Sequence, residues 1–500
     1  MTGARARAAL VAALGALQTL AFVHTAAWWL PLATTAALVA VVARAGPRRA
    51  ALYGWLYGCA WLLAGTWWLF ISMYRYGGLP APLAAAAVFA LAAALALYPA
   101  LAMAAFARWR RGRPFADALL FAAVWLLAEL ARSVLFTGFP WIASGYAQVD
   151  GPLAALAPWI GVYGIGAWGA FAAALLVAGT RRRWWPAAAA LALIALPALV
   201  GRVEFTRPAG ALTVTLLQTN VAQDEKFAAE HLPEALAWLD HALRSAKGDL
   251  VVAPETAEPL LPEQLAEFAP GYWEGLRAHF AASTQAALIG VPLGSFEAGY
   301  TNSVAGLSAG PPYRYDKFHL VPFGEFIPEG FHWFTQMMNI PLGDFARGVP
   351  NPPSFPVRGQ RVAPNICYED LFGEELAKRF VDPALAPTLF ANLSNIGWFG
   401  DTIAIPQHLN ISRMRSLEFQ RAMIRSTNTG ATAIIDDRGR VVAELAPMTR
   451  GVLTGRVEGR AGTTPFAAWS SRFGLWPPFA AALAVLALAA INAGRRGPRT

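Results

Sequence analysis

Residues 362–380 read VAPNICYEDLFGEELAKRF and join an apolar strand to a helix through a cysteine. The run VAPNICY (362–368) is typical of a buried strand, and the residues after it have a helical pattern. A turn between a strand and a helix exposes a side chain at a sheet edge and directs backbone N–H groups towards it. Cys367 is therefore placed where a nucleophile would be useful, with a buried structural thiol as the alternative.

From about residue 208 onwards, the chain around this segment alternates short apolar runs with helical patterns. The predicted strands are ALTVTLLQ (211–218), DLVVAP (249–254), QAALIG (285–290), NSVAGLS (302–308), VAPNICY (362–368), PTLFAN (387–392) and TAIIDD (432–437). The predicted helices are 227–246, 262–283, 373–380 and 406–424. This alternation predicts a layered α/β domain of roughly 250 residues. The stretch 327–350 lacks periodicity and is either a lid or a loop packed on the domain.

Three other polar residues stand where strands end or where apolar segments surround them. Glu255 follows a strand in VVAPET (251–256), so its carboxylate could act as a general base at the sheet edge. Lys317 lies among aromatic residues in YDKFHLVPFGEF (315–326), and Glu325 follows in the same segment. Each acid alone would be read as a solvated carboxylate, but together with Cys367 they predict a catalytic cluster.

The composition indicates a membrane protein. Hydrophobic residues make up 56% of the 500-residue chain and charged residues 14%, whereas soluble domains have about 45–50% and about 25%. This excludes intrinsic disorder, and the presence of only two cysteines excludes a disulfide-stapled scaffold. Eight apolar stretches are long enough to be candidate spans: about 8–24, 27–43, 51–73, 81–107, 115–136, 155–179, 184–201 and 474–494. Cys59 lies inside the third and is interpreted as a small apolar side chain.

The arginines predict the orientation of these spans. They cluster in every second connection, at 5–7, 44–49, 108–113, 181–183 and 495–499. This positive-inside pattern places both termini in the cytoplasm. The predicted domains are a seven-helix transmembrane domain (1–201), an extracytoplasmic catalytic domain (202–473) and a last helix with a basic tail (474–500). The formal charge of +9 is then a topology signal, and nucleic-acid binding is not expected.

Two charges interrupt the fifth apolar stretch. Glu129 and Arg132 lie one turn apart, where an uncompensated charge is costly. We interpret them as a mutually paired couple near the membrane interface, with a role in substrate binding as the alternative.

The order of Glu255, Lys317 in a K-x-H-L context and Cys367 in I-C-Y-E resembles the Glu-Lys-Cys triad of the nitrilase superfamily. Together with eight spans, it resembles the apolipoprotein N-acyltransferase family along nearly the whole chain. Four further segments carry this resemblance: TGFPWIASGYAQ (137–148), DKFHLVPFGEFIP (316–328), NLSNIGWFGD (392–401) and RSTNTGATAIID (425–436). Two segments depart from the family pattern. Phe227 stands where the family usually has Trp, and Ile396-Gly397 replaces the usual Asp-Ala.

The resemblance implies a four-layer α-β-β-α sandwich and a set of site residues. Glu255 would be the general base, Cys367 the nucleophile, and Lys317 with the Tyr368 N–H would hold the oxyanion. Glu325 would orient Lys317 or the acceptor amine. The supporting or substrate-binding residues implied are Glu325, Tyr368, Glu369, Phe227, Trp398 and Trp141. Neither a metal cluster nor a phosphate-cradling loop is visible in the sequence, so no cofactor or metal is implied.

The resemblance also implies the reaction and its location. A phospholipid, chiefly phosphatidylethanolamine, would donate an acyl chain to Cys367 as a thioester. The acceptor would be the α-amine of the N-terminal diacylglyceryl-cysteine of a lipoprotein, in a ping-pong sequence that is the last step of lipoprotein maturation. The implied location is the bacterial inner membrane with the catalytic domain in the periplasm. A monomer is expected because the spans on both sides of the domain would hinder association.

Two other functions share parts of the sequence evidence. A membrane-anchored amidohydrolase of the nitrilase type would use the same triad but pass its acyl group to water. A transporter with a ligand-binding extracytoplasmic domain would need paired polar residues in several spans, and apart from Glu129 and Arg132 the spans carry almost none.

Overall fold

The structure is a computed structural model and describes residues 2–179, 183–226, 228–329 and 345–494. Contacts divide the chain into two compact units. The first comprises residues 1–70, 81–203 and 473–500, and the second comprises residues 71–80 and 204–472.

The first unit is helical. Its α-helices are Thr2–Leu17, Trp29–Val42, Pro47–Thr66, Ala81–Leu95, Leu97–Trp109, Pro114–Val134, Ala157–Ala178, Trp185–Val200 and Trp476–Gly494. Proline at the first turn begins the helices Pro47–Thr66 and Pro114–Val134, where its missing N–H costs no hydrogen bond. These helices are dominated by Ala, Leu, Val and Trp, so they bury an apolar interior and leave many apolar side chains exposed. Such a surface suits a lipid environment.

Within the described residues, five helices have the length and composition to cross a membrane: Thr25–Val42, Ala81–Trp109, Pro114–Thr137, Pro152–Ala178 and Trp476–Ala493. A sixth is added if Pro47–Thr66 and Leu69–Tyr76, which meet at 61°, form one broken span. The first and seventh expected spans correspond to the shorter helices Thr2–Leu17 and Trp185–Val200. The count of membrane-length helices is therefore lower than the eight stretches predicted from hydropathy.

The loop that follows the helix Pro114–Val134 is held by two buried charges of that helix. Glu129 accepts hydrogen bonds from the backbone N–H of Ser144 (2.6 Å) and from its hydroxyl (3.0 Å). Arg132 donates to the carbonyl oxygens of Phe139 (2.8 Å) and Trp141 (2.7 Å). Both charges thus bind atoms of the loop 137–148, and their expected mutual pairing stays a prediction.

The second unit contains two six-stranded sheets. The strands are β1 (Thr206–Gln218), β2 (Leu250–Ala253), β3 (Ala286–Ser295), β4 (Gly299–Leu307), β5 (Tyr313–Asp316), β6 (Phe355–Val357), β7 (Gln360–Ile366), β8 (Leu389–Ser394), β9 (Met423–Thr427), β10 (Ala433–Ile435), β11 (Val441–Glu444) and β12 (Gly451–Gly462). One sheet has the order β12-β1-β2-β3-β4-β5, and the other has the order β11-β10-β9-β8-β7-β6.

Parallel pairing at the centre of each sheet places the carboxyl ends of neighbouring strands side by side. In the first sheet β1, β2 and β3 are parallel, with Val252 opposite Leu288. In the second sheet β7, β8 and β9 are parallel, with Ile366 opposite Leu393. The residues that follow these strands therefore collect at the carboxyl edge of their sheet, where ligands of parallel sheets usually bind.

The two sheets pack face to face, and helices cover their outer faces. A buried cluster between the sheets combines Val214, Val252 and Leu288 from the first with Ile366 and Leu393 from the second. The helices of this unit are Leu232–Ser245, Pro262–Phe268, Tyr272–Ala281, Gly373–Ala377, Ala404–Phe419 and Pro465–Phe473. On the first sheet the cover is provided by Leu239, Leu243 and Phe280 of two of these helices. On the second sheet, Phe419 packs on Phe390 of β8. The layers are α-β-β-α, as expected.

Two predicted helices differ from the observed ones. The single helix predicted over 262–283 is observed as two helices. The break occurs because Gly271 adopts the left-handed conformation (φ +79°) between them. The helix predicted over 406–424 is observed as Ala404–Phe419, and Met423 and Ile424 belong to β9 instead. The apolar residues of β9 fit both periodicities, and only pairing with β8 makes them a strand.

The segment Ile71–Pro80 belongs to the second unit by its contacts, although its sequence lies within the predicted transmembrane domain. Arg75 forms an ion pair with Asp224 (3.2 Å), and Tyr76 packs edge-on against Trp398, with ring centroids 5.7 Å apart. The polar residues at the end of this apolar stretch therefore find their partners in the loops of the α/β unit.

Candidate active site

Cys367 lies at the carboxyl end of β7. It follows Ile366, begins a short helical turn and has a positive φ of +50°. This left-handed conformation is uncommon for a non-glycine residue and is typical of strained functional positions. Its carbonyl oxygen accepts a hydrogen bond from the Asn392 side chain (3.2 Å) on the neighbouring strand β8.

Glu255 lies at the equivalent edge of the first sheet, two residues after β2. One carboxylate oxygen accepts hydrogen bonds from the Asn302 amide (2.7 Å) and from Lys317 (3.4 Å). The other accepts from the backbone N–H of Asn395 (2.7 Å), which follows β8 of the second sheet. The carboxylate therefore connects the facing edges of the two sheets, and its orientation is fixed by three donors.

Lys317 directly follows β5 and is almost completely buried, with 1% exposure. Its ammonium is 2.8 Å from Glu325 and 3.4 Å from Glu255. Burial opposes the charged form, but the carboxylates of Glu325 and Glu255 raise the pKa of Lys317 above its usual value. Lys317 is therefore a permanent cation in this site.

Glu325 forms an ion pair with Lys317, and its role in orienting Lys317 or the acceptor amine stays a prediction. Its second oxygen accepts the backbone N–H of Val321 (2.8 Å), so the turn of 321–325 holds the carboxylate in place. The Asn302 amide also donates to Glu325 (2.7 Å). One amide thus links both carboxylates.

The charges of Glu255, Lys317 and Glu325 affect the pKa of the Cys367 thiol. Burial raises its pKa, Glu255 adds to this effect and Lys317 opposes it, and the resulting pKa is about 12. The cysteine is thus a neutral thiol at rest, and a base must remove the proton as the sulfur attacks. Of the two carboxylates that affect the pKa of this thiol, Glu255 has the larger effect.

Glu369 connects the short helical turn that begins at Cys367 to the residues around Lys317. It accepts hydrogen bonds from the backbone N–H groups of Phe318 (2.8 Å), His319 (3.2 Å) and Ile366 (2.7 Å), and from the Tyr315 hydroxyl. These donors flank both Lys317 and Cys367. Glu369 therefore fixes the ammonium and the thiol relative to each other.

The other predicted supporting residues have different surroundings. Tyr368 is buried against Phe372, with ring centroids 5.3 Å apart. Trp398 is partly exposed and packs on Tyr76. Trp141 is buried in the first unit against Trp68, with ring centroids 4.9 Å apart. Phe227 and most of the stretch 327–350, for which a lid and a packed loop were the alternatives, lie outside the described residues. The supporting or substrate-binding roles of Tyr368, Trp398, Trp141 and Phe227 stay predictions.

Sequence reasoning missed a buried polar network behind Cys367. His408 is 3.0 Å from Asp370 and 3.3 Å from the Cys367 carbonyl oxygen, and Arg425 is 3.3 Å from Asp370. Although burial opposes ionisation, His408 and Arg425 lower the pKa of Asp370 below its usual value. A sequence signal was available, since charged residues inside apolar strands and helices seldom lack a partner.

Asn302 and Asn395 were also missed. Both are buried; Asn302 lies within β4, and Asn395 directly follows β8, where an amide is easily read as turn chemistry. Among the described residues, no group of His, Cys, Asp and Glu is arranged as a metal site. The site therefore consists of one thiol, one ammonium and two carboxylates fixed by amides.

Two family models match the chain. The N-terminal domain of apolipoprotein N-acyltransferase matches residues 14–175, and carbon-nitrogen hydrolase matches residues 213–466. The apolipoprotein N-acyltransferase of Verminephrobacter eiseniae is 56% identical over 478 residues, covering 90% of this chain and 89% of the relative. The chain belongs to the apolipoprotein N-acyltransferase family.

Another family member, from Ralstonia nicotianae, is 46% identical over 507 residues, covering 98% of this chain and 94% of its own. The family combines both of the units described above in one chain. The carbon-nitrogen hydrolase match covers nearly all of the two sheets and includes Glu255, Lys317 and Cys367, so the α/β fold expected for this part of the chain is confirmed.

Proposed function

We propose that this chain transfers a fatty acyl group from a phospholipid to the α-amine of the N-terminal diacylglyceryl-cysteine of lipoproteins. The observation that carries this proposal is the buried cluster of Glu255, Lys317 and Glu325 around the Cys367 thiol, in a member of this family. Phosphatidylethanolamine is the proposed donor, and a diacylated apolipoprotein is the proposed acceptor.

In the first half-reaction, the Cys367 sulfur attacks the ester carbonyl carbon while Glu255 accepts the thiol proton. The carbonyl oxygen becomes an oxyanion, which the Lys317 ammonium and the Tyr368 N–H stabilise. Loss of one such donor typically costs about 2.7–4 kcal/mol of transition-state stabilisation. When the carbon–oxygen bond breaks, Glu255 returns the proton to the departing lysophospholipid oxygen. The product is a thioester on Cys367.

In the second half-reaction, the acceptor amine attacks the thioester carbonyl. Glu255 accepts a proton from the amine nitrogen, and the same oxyanion donors act again. The carbon–sulfur bond then breaks, the amide is released, and Glu255 returns its proton to the Cys367 sulfur. The ammonium of Lys317 stays charged throughout because it remains paired with Glu325 when Glu255 takes up the proton.

The proposed setting is the bacterial inner membrane, with eight spans, both termini in the cytoplasm and the catalytic unit in the periplasm. The arginine clusters at alternate connections support this orientation. An apolar approach from the membrane would limit hydrolysis of the thioester. We further propose that the enzyme is a monomer.

The test is the intact mass of the purified full chain after incubation with phosphatidylethanolamine. A fatty-acyl adduct is expected on the wild type and on Cys59→Ala, whose changed residue is buried in the first unit, but not on Cys367→Ala. An N-terminal diacylcysteinyl peptide should remove the adduct and become acylated. Release of free fatty acid without peptide acylation would instead identify a hydrolase, and the absence of any adduct would refute the proposal.

A further inference from the structure

A second lysine, Lys226, is buried close to Glu255. Its side chain is 5% exposed, and its ammonium donates to the carbonyl oxygen of Glu255 (3.1 Å) and to the hydroxyl of Thr256. Both acceptors are neutral. Among the ion pairs of residues 2–179, 183–226, 228–329 and 345–494, none involves this ammonium at 4 Å or less.

Burying an ammonium without a direct carboxylate partner is costly. Burial lowers the pKa of Lys226 to about 8, although the charge of Glu255 opposes this change. A methionine or leucine would fill the same volume without the desolvation cost of a charge. The position therefore uses a cation for something other than packing.

The two acceptors of Lys226 form the turn that carries the proposed general base. Thr256 has a positive φ of +47°, which is unfavourable for a β-branched residue and needs support from its surroundings. On β3, Gly290 lies so close to this turn that a Cβ atom there would be 2.2 Å from the Pro254 oxygen. The turn is thus confined by β3, and the ammonium of Lys226 binds its backbone and its threonine hydroxyl.

The side chain of Glu255 is also tied to the loop that carries Lys226. Asn395, whose N–H binds the Glu255 carboxylate, donates through its side chain to Gln223 (2.8 Å). The segment 223–226 therefore makes two contacts. Lys226 binds the turn of Glu255, and Gln223 binds Asn395, which donates to the Glu255 carboxylate. A displacement of this segment would move the base away from the thiol.

We propose that Lys226 is a positioning residue for Glu255: its ammonium holds the strained Glu255–Thr256 turn so that the carboxylate stays directed at the Cys367 thiol. This inference rests on the proposed role of Glu255 as the general base. It concerns the activation of the thiol and requires neither a particular acyl donor nor a particular acceptor.

The experiment measures alkylation of Cys367 by iodoacetamide in the full-length protein. A sulfur–carbon bond forms, iodide leaves, and the thiol proton passes to Glu255, so the rate reports activation of the thiol without lipid. Lys226→Met should slow alkylation about tenfold or more, since general-base assistance is typically worth 10²–10⁴-fold. Lys247→Met, at an exposed lysine, is the matched control and should alkylate at the wild-type rate.

A double mutant separates positioning from general destabilisation. In a Glu255→Gln background, Lys226→Met should cause no further loss, because the base on which it acts is already absent. Equal losses in both backgrounds, or an unchanged rate for Lys226→Met alone, would overturn the proposal. If Lys226→Met does not fold, Lys226→Leu, which also lacks a hydrogen-bond donor, takes its place.

Steady-state acyl transfer distinguishes this inference from the proposed function. For Lys226→Met, kcat should fall while KM for phosphatidylethanolamine is unchanged, because the variant alters the base and not the lipid contacts. If the wild type alkylates as expected but forms no acyl-enzyme, the proposed function fails and the role of Lys226 stands.

Discussion

Glu258 is a buried carboxyl group with little compensation, and its replacement should change how stability depends on pH. It is fully buried, and burial raises its pKa to about 8. One oxygen accepts a weak hydrogen bond from the Leu260 N–H (3.5 Å), and the other has no partner among the described residues. In Glu258→Gln the ionisable group is replaced by a neutral amide of similar shape.

The sign and size of the effect follow from proton linkage. The unfolded chain loses this proton near pH 4.5 and the folded chain near pH 8, so unfolding releases a proton between these values and stability falls as pH rises. Between about pH 6 and about pH 9, the wild type should lose about 2.5 kcal/mol more than Glu258→Gln. For a unit of this size that is roughly 5–10 °C in the unfolding midpoint.

The assay is thermal unfolding of the full chain in detergent, followed by tryptophan fluorescence across this pH range. Glu263→Gln, at an exposed glutamate of the next helix, is the control and should follow the wild-type curve. The Glu258→Gln midpoint should rise relative to the wild type as the pH increases. Parallel curves for all three proteins would refute the reasoning, because they would mean that Glu258 ionises in the fold without cost.

Three further changes test the site and its support. Asn302→Leu removes two donors to carboxylates, each worth about 1.5–3 kcal/mol, so single-turnover acylation of Cys367 should slow by about 10- to 100-fold; an unchanged rate would contradict the bridging role. Gly290→Ala places a Cβ atom 2.7 Å from the Glu255 Cα, so iodoacetamide should alkylate the cysteine more slowly while circular dichroism stays unchanged. Arg425→Met leaves the buried Asp370 without its guanidinium and should lower stability by about 3–5 kcal/mol; adding Asp370→Asn should recover part of this loss in the same unfolding assay.

The triad was predictable because each member stands at a strand end that the local pattern marks. Cys367 and Glu255 follow the apolar strands β7 and β2, and Lys317 follows the short strand β5 in an aromatic segment. The carboxyl ends of β2 and β5 lie at one edge of the first sheet, but Cys367 follows a strand of the second sheet, so its approach to Glu255 and Lys317 depends on how the two sheets pack. The resemblance to a family then added Glu369, whose isolated pattern is that of an ordinary surface acid.

The amides and the second lysine could not be found in this way. Asn395 binds Glu255 through its backbone N–H, a group that every residue type except proline carries, so the residue type gives no signal. Asn302 joins two carboxylates that are 70 positions apart in sequence numbering, and Lys226 binds a carbonyl oxygen. Such contacts depend on where loops from different strands come to lie, and local periodicity holds no information about this.

The sequence by itself determined the apolar helices and the α/β alternation and predicted the candidate reactive groups, because hydropathy, strand patterns and rare side chains are local properties. Only the tertiary structure decided the environment of those groups. The positive φ of Cys367, the sharing of Lys317 between two acids and the burial of Lys226 arise where two sheets face each other. Burial and neighbouring charges set the protonation states, and these depend on distances that only the folded chain defines.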